Sequence, residues 1–432
     1  MAVSLRVLSR GSCQLLDYTH LSQAPYRQVR TEDYIYWPFQ NMTNTSGASP
    51  RMDRVQSPII AVIGEWIRKH PGTISLGQGV VHYGPPPSAL DVARAAVTDA
   101  RTHGYQEVSG MPGLVRAIEE KLRRDNGIQV ERGSRVMVTA GGNMAFVHAI
   151  LAVTEPGDEV ILPVPFYFNH EMAIQMASCT AVRVQTDPGY QLDVQAIRRA
   201  ITPRTRAIVT VSPNNPTGVV FPRETLQAVN ALSAEHGLYH FSDEAYEYFT
   251  YDSVPHVSPG SFPGAERHTI SLFSLSKSYG MAGWRIGYAV YPERLADAMA
   301  KVQDTVLICP TVVSQVMATA AMEGGPDYPR QYLPSLAGVR ASVLRELRAL
   351  EPLCTIPMAE GAFYCFLRVN ADVDPMQLAE RLIREHRVAV VPGVAFGMTD
   401  GCYFRVAYGA LEKDTVAEGI GRLVKGLRAL LA

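Results

Sequence analysis

The chain has 432 residues, with 40 Lys and Arg against 41 Asp and Glu for a net charge of −1, and it is 47% hydrophobic and 19% charged. At about 150 residues per domain this length predicts two or three domains with volume for buried cores, and the balanced charge excludes a global field that would draw the chain to nucleic acid or anionic lipid. The composition excludes predominant disorder. Apolar runs such as Phe146 to Ile150 are broken by polar residues before they reach the roughly 18 residues of a membrane span. The six cysteines, Cys13, Cys179, Cys309, Cys354, Cys365 and Cys402, form no CxxC pair and have no His at metal spacing, so neither a metal site nor a disulfide scaffold is expected. This cysteine usage points to a reducing, cytoplasmic setting.

Residues 1–50 are rich in Tyr, Gln, Asn, Thr and Ser without a sustained period, and are expected to form a flexible extension. The first sixteen carry Arg6 and Arg10 and no acid, which leaves an organellar transit segment within residues 1–40 open. Met42 or Met52 would equally begin the functional chain. From about residue 55 helical and strand-like segments alternate between Gly, Pro, Asn and Asp, which predicts βαβ units on a mainly parallel sheet. Helices are expected over residues 90–100 and 113–124, from Asn143 onward, and over 192–200 and 223–235. About seven strands are expected, near 135–139, 159–162, 181–185, 206–211, 238–241, 269–273 and 286–290. After roughly residue 330 a long charged helix, Leu336 to Leu350, opens a run of shorter units that reads as a smaller α+β domain. The expected division is an arm with part of the small domain (51–89), a large domain (90–325) and a C-terminal small domain (326–432).

Several of these strands end in residues with chemistry. Thr269 to Phe273 delivers Ser274-Leu275-Ser276-Lys277, and open α/β sheets bind ligands at such carboxyl ends. A lysine desolvated there has a lowered pKa, so its neutral amine can attack a carbonyl and form a Schiff base. Ser274 and Arg285 would then offer a hydroxyl and a forked cation to a phosphate. Asp243 closes another apolar strand; it is either a turn-capping acid or a carboxylate set against a protonated ring nitrogen, with Tyr246 donating to an oxygen of that ring. Ser212-Pro213-Asn214-Asn215-Pro216-Thr217-Gly218 is either a plain tight loop or a rigid mount that aims Asn215 at a ligand. Gly141-Gly142-Asn143 is either an ordinary βα junction or a place where backbone N–H groups meet an anion. Gly77-Gln78-Gly79 lacks the third glycine of a dinucleotide fingerprint. Together these segments contain the parts needed for pyridoxal phosphate (PLP): an imine-forming amine, an acid for the ring nitrogen, donors to the ring oxygen and a phosphate anchor.

With those residues in place, the chain over about 55–430 resembles the fold-type I aminotransferases of class I and II, above all in Ser274 to Lys277 followed by Gly283-Trp284-Arg285-Ile286-Gly287. The resemblance implies a mainly parallel seven-stranded sheet sandwiched by helices, a smaller α+β domain, and PLP. It makes Lys277 the Schiff-base lysine and Ser274, Arg285, Gly142 and Asn143 the phosphate ligands. It further makes Asp243 the pyridinium partner, Asn215 and Tyr246 the neighbours of the ring oxygen, and Tyr167 the aromatic stacked on the ring. On the substrate side it implies that Arg405 grips the α-carboxylate and that the backbone of Gly79 and the side chain of Asn215 touch substrate. Tyr105 is similar to the tyrosine that reaches the neighbouring subunit's phosphate, so a homodimer with shared sites is implied. Many family members read Phe-Pro-Asp-Phe where this chain has Val80-Val81-His82-Tyr83, which departs from the pattern near the substrate side chain. Other segments, Gly77 to Tyr83, Pro165-Phe166-Tyr167-Phe168-Asn169 and Tyr246 to Asp252, look most like a plant-type aromatic branch.

The expected activity is therefore a ping-pong transamination from an aromatic or other apolar L-amino acid, methionine included, to a 2-oxo acid. His82, Tyr83 and Tyr167 suit either an apolar or aromatic pocket for that side chain or simple packing. A lyase or carbon–carbon bond-forming synthase on the same fold, acting on a sulfonium amino acid for example, is the alternative, since the reaction depends on which bond stands perpendicular to the ring. A cofactor-sensing regulator would require a DNA-binding domain, and the leading residues show no basic helix-turn-helix pattern.

Overall fold

A computed structural model describes residues 49–431. The expectations for residues 1–48, the leading extension and its transit segment, lie outside the described residues. The strands are β1 (Ile74–Ser75), β2 (Ser134–Thr139), β3 (Glu159–Val164), β4 (Thr180–Gln185), β5 (Thr205–Val211), β6 (Tyr239–Asp243), β7 (Thr269–Ser274), β8 (Gly287–Pro292), β9 (Cys354–Thr355), β10 (Tyr364–Val369), β11 (Val388–Ala389), β12 (Val391–Pro392) and β13 (Cys402–Ala407). Seven of them form one sheet in the order β2-β8-β7-β6-β5-β3-β4. Strands β4, β3, β5, β6 and β7 pair in parallel. Strand β8 runs antiparallel to both β7 and β2. Strand β5 is buried at six of its seven positions and β8 at every one, as expected for strands covered by helices on both faces.

The single reversed strand decides where the ligand-facing residues gather. Strands β2, β3, β5, β6 and β7 all leave the sheet at one edge, and because β8 runs the other way its first residue starts from that same edge. The segment carrying Arg285 therefore arrives where the segments carrying Gly142, Tyr167, Asn215, Asp243 and Lys277 depart. A four-stranded antiparallel sheet, β12-β13-β10-β9, forms the second sheet. Strand β1 pairs in parallel with β11, with Ile74 opposite Val388 and Ser75 opposite Ala389. That pairing joins the chain ahead of Gly77 to the C-terminal part.

Observed helices match the expected ones with shifted ends. The first expected helix spans Pro87–Ala96 rather than 90–100: Pro87 supplies a preset φ at the first position, and Asp99 caps a separate 3₁₀ turn, Ala100–His103, by accepting from Arg101 N. The next is α-helical over Pro112–Lys121 and then widens into a π turn, Leu122–Asn126. The helix expected at 192–200 is Val194–Arg199, because the Asp193 carboxylate accepts from Ala196 N and fixes its start. The long C-terminal-domain helix is Leu333–Arg348. Among the described residues no helix is long and apolar enough to cross a membrane.

Candidate active site

Of the residues singled out from the sequence, Gly79, Gly142, Asn143, Tyr167, Asn215, Asp243, Tyr246, Ser274, Lys277, Arg285 and Arg405 line one cavity of about 380 Å³. Tyr105 does not line it and is 81% exposed in the single chain. Of the three residues that suited either a side-chain pocket or packing, Tyr167 lines the cavity, whereas His82 and Tyr83 lie outside its lining, and Tyr83 is buried against Tyr332 with the rings stacked at 3.7 Å.

Lys277 sits on the four-residue helix Leu275–Ser278, directly after β7. The Ser274 Oγ caps that turn by accepting from Ser276 N at 3.2 Å. Burial pushes the Lys277 amine down to about 8, with the Arg285 and Arg405 cations adding to the shift and Asp243 opposing it. Desolvation dominates because a charged ammonium loses more hydration than a neutral amine.

Asp243 ends β6 and plays both parts that its position suggested. One carboxylate oxygen accepts from Ala245 N at 3.1 Å, which is the turn-capping role. The other meets His170 Nε2 at 3.0 Å. His170 is buried, its ring stacks on Phe146 at 4.1 Å, and its Nδ1 has no partner. The acid is thus fixed from behind and still faces the cavity.

Asn215 and Tyr246 belong to a chain of polar contacts that crosses from one sheet to the other. Arg405 Nη1 donates to Asn215 Oδ1 at 2.9 Å, Asn215 Nδ2 donates to the Tyr246 hydroxyl at 3.2 Å, and the Tyr246 and Tyr364 hydroxyls lie 2.8 Å apart. Arg405 pairs across β13–β10 with Phe366, and Tyr364 with Ala407. Since strand side chains alternate faces, this register puts Arg405 and Tyr364 on one face. The guanidinium lies 4.7 Å from the Tyr364 ring centroid, a cation–π distance. Burial raises the Tyr246 phenol well above its usual range and moves Tyr364 up to about 12. Both stay protonated donors near neutral pH.

Arg405 is 2% exposed, and its Nη2 also donates to Gly77 O at 2.7 Å. Its Nε is buried with no partner. A buried guanidinium is costly unless its charge finds an acceptor, and Arg405 lines the cavity, so it is a candidate to hold an anion there.

The opposite end of the cavity is built for another anion. The helix Gly142–Val153 has no side-chain cap, so the N–H groups at its start, at Gly142 and Asn143, are available where the helix dipole is positive. Arg285 lies across them. Its backbone is left-handed at φ 52°, and its Nη1 donates to Ala282 O at 2.9 Å. Gly141 sits at φ 83°, a backbone conformation that favours glycine, and a Cβ there would displace the Arg285 guanidinium. Tyr167 closes the side, its hydroxyl donating to Asn143 Oδ1 at 3.2 Å and accepting from Asn169 Nδ2 at 2.8 Å. Asn169, His170 and Tyr364 were not singled out from the sequence. The first two follow Tyr167 by two and three positions, so the turn of helix beginning there carried a signal. Tyr364 carried only the strand period of β10.

A family model for "Aminotransferase class I and II" matches residues 71–423. The chain belongs to the class I and II aminotransferases. It is 34% identical over 386 residues to an aromatic aminotransferase, ISS1, of Arabidopsis thaliana, covering 87% of this chain and 94% of that one. An aspartate/prephenate aminotransferase of Thermus thermophilus is 35% identical over 347 residues, covering 79% and 88%. Among solved structures, an aspartate aminotransferase from Thermus thermophilus with maleate superposes with a TM-score of 0.80 at 32% identity, covering 88% of this chain and 99% of its own. An aromatic aminotransferase from Pyrococcus horikoshii gives 0.78 at 30%, covering 85% and 99%. The fold is therefore fold-type I, the enzyme is a transaminase rather than the lyase or synthase considered above, and its cofactor is PLP. The site fits that cofactor on its own terms. It combines a partly desolvated amine, an oriented carboxylate, and an anion cradle formed by Gly142, Asn143, Ser274 and Arg285.

Proposed function

We propose that this aminotransferase moves the amino group of an aromatic or other apolar L-amino acid, methionine included, to a 2-oxo acid in two half-reactions of ping-pong type. The observation that carries the reading is the Arg405 guanidinium, 2% exposed and in the wall of a cavity whose other walls include Pro58, Ile60, Phe168 and Tyr364. A carboxylate would pair with that guanidinium, while the apolar walls favour a side chain without charge. The resemblance to the aromatic aminotransferase of Arabidopsis thaliana supports the same substrate class.

When bound, PLP supplies the aldehyde that takes up the amino group and a ring that withdraws electrons from the substrate's Cα. Asp243 would hold the ring nitrogen, Asn215 and Tyr246 the ring oxygen, and Tyr167 the ring face. Gly142, Asn143, Ser274 and Arg285 would hold the phosphate. Arg405 fixes the substrate carboxylate, and that fixes which bond at Cα is presented for cleavage. Lys277 Nζ, lowered to about 8 by burial and the neighbouring cations, removes the Cα proton as general base in its neutral form. His170 keeps Asp243 oriented through its 3.0 Å contact, and Gly79, where a Cβ would lie 2.7 Å from the Tyr364 hydroxyl, would offer its backbone to substrate.

The enzyme works as a homodimer in this reading. Tyr105 is a large side chain left exposed, and a second copy would receive it at its phosphate cradle. The arm (51–89), the cofactor domain (90–325) and the small domain (326–432) are its proposed parts, and the β1–β11 pairing supports assigning part of the arm to the small domain. Cys179, Cys309, Cys354, Cys365 and Cys402 are free thiols, which supports a cytoplasmic location.

A donor panel tests the substrate class. With pyruvate, 2-oxoglutarate and phenylpyruvate as acceptors, kcat/KM for phenylalanine, tyrosine, tryptophan or methionine should exceed that for aspartate by at least about ten-fold, the scale expected for excluding a charge from apolar walls. Preference for aspartate would reject the apolar reading.

A further inference from the structure

Residues 77–84 run from the substrate end of the cavity to the back of the lysine turn. At one end Gly77 O accepts from Arg405 Nη2 at 2.7 Å. At the other, the Tyr83 hydroxyl donates to Lys277 O at 3.2 Å and to Ser278 O at 3.3 Å, sharing its hydrogen between the two. Gly280 brings the turn into direct backbone contact with this segment. Its φ is 63°, and a Cβ there would lie 2.5 Å from the carbonyl oxygens of both Tyr83 and Gly84. Tyr332 stacks on the Tyr83 ring with 4° between the planes, and Tyr328 donates to Gly84 O at 2.6 Å. Burial among Tyr328, Tyr332 and Tyr251 raises the Tyr83 phenol well above its usual range, so it remains a donor.

We propose that Tyr83 is a positioning residue for Lys277, its hydroxyl anchoring the carbonyls of the lysine turn so that Nζ is held over the reacting carbon. The function is additional to packing, because the stacked ring alone would satisfy packing. The idea rests on Lys277 being the reactive lysine, and Lys277→Ala tests that separately through loss of the visible absorbance of the lysine-bound cofactor.

The direct test is Tyr83→Phe in the PLP-loaded enzyme, a change that keeps the ring and removes one donor. Losing a net hydrogen bond of ordinary strength predicts a fall of about five-fold in kcat, with KM for the amino donor within two-fold, because Arg405 is untouched. Amide hydrogen exchange across residues 277–281 should quicken in the variant, with and without PLP. Unchanged kcat overturns the proposal. So does a rise in KM with kcat preserved, or exchange across the turn identical to that of the parent. In each case a band-less Lys277→Ala variant would leave the assignment of the reactive lysine standing.

Discussion

Two buried lysines in this molecule have opposite fates. Lys121, in the helix Pro112–Lys121, is 2% exposed, and its ammonium is saturated: it donates to Glu247 at 2.5 Å and to Asn126 Oδ1 at 2.8 Å, and it lies 4.5 Å from the Phe273 ring centroid. Asn126 in turn donates to Glu247 and to Ser258, both at 2.8 Å. Lys277 makes no side-chain hydrogen bond among the described residues, and the cations of Arg285 and Arg405 press on it. Burial is common to both. A charge whose donors all find acceptors holds the fold together, whereas one left unpaired and crowded by like charge gives up its proton more readily and is suited to act as a nucleophile or base.

The contrast can be broken most severely at Lys277. Replacement by Ala should remove the visible absorbance of the bound cofactor and lower turnover by at least about a thousand-fold, the scale of losing a nucleophile and general base together. The melting temperature of the cofactor-free protein should not fall. A variant that keeps full turnover would reject the assignment, and one that melts much earlier would make Lys277 resemble Lys121.

At Lys121 the expected damage is thermodynamic. Lys121→Met leaves the Glu247 carboxylate buried and uncompensated, so urea unfolding should show a loss of about 3–5 kcal/mol. Activity per folded molecule should stay within a few-fold of the parent. A loss below about 1 kcal/mol would mean that this pair is no stronger than a surface one.

The smallest effect is a displaced titration. In the cofactor-free protein the Lys277 amine, lowered to about 8, is mostly protonated below that pH and neutral above it. Its rate of modification by an acylating reagent should rise through pH 8 and then level off, while exposed lysines continue to gain reactivity toward their ordinary range near 10.5. A Lys277 midpoint near 10 would show that the cations and burial do not act on it as described. Lys121, saturated by Glu247 and Asn126, should react far more slowly across the same range.

The two lysines also mark what could be read in advance. Lys277 was legible because it follows an apolar strand within a dense run of Ser, Gly, Trp and Arg. Asp243, Asn215 and Gly142 were legible in the same way, as polar residues at strand exits. Lys121 resembled one more charge on an amphipathic helix, since its partner Glu247 is distant in the chain. Tyr364 and His170 went unnoticed for the same reason: their contacts to Tyr246 and Asp243 join segments that no local pattern links. The tyrosine at 83 was visible as a departure from the family pattern. Its proximity to the Lys277 carbonyls was not.

Local chemistry therefore determined the strands, most helix cores and the candidates for the reactive groups, because period, proline, glycine and capping residues act within a few positions of the chain. Tertiary structure alone decided that β8 runs backwards and brings Arg285 to the edge where Lys277 leaves. It also decided that β13 turns Arg405 toward Asn215, and which buried charges are paired. Those outcomes depend on register and strand order, and they are settled by packing between residues far apart in the chain.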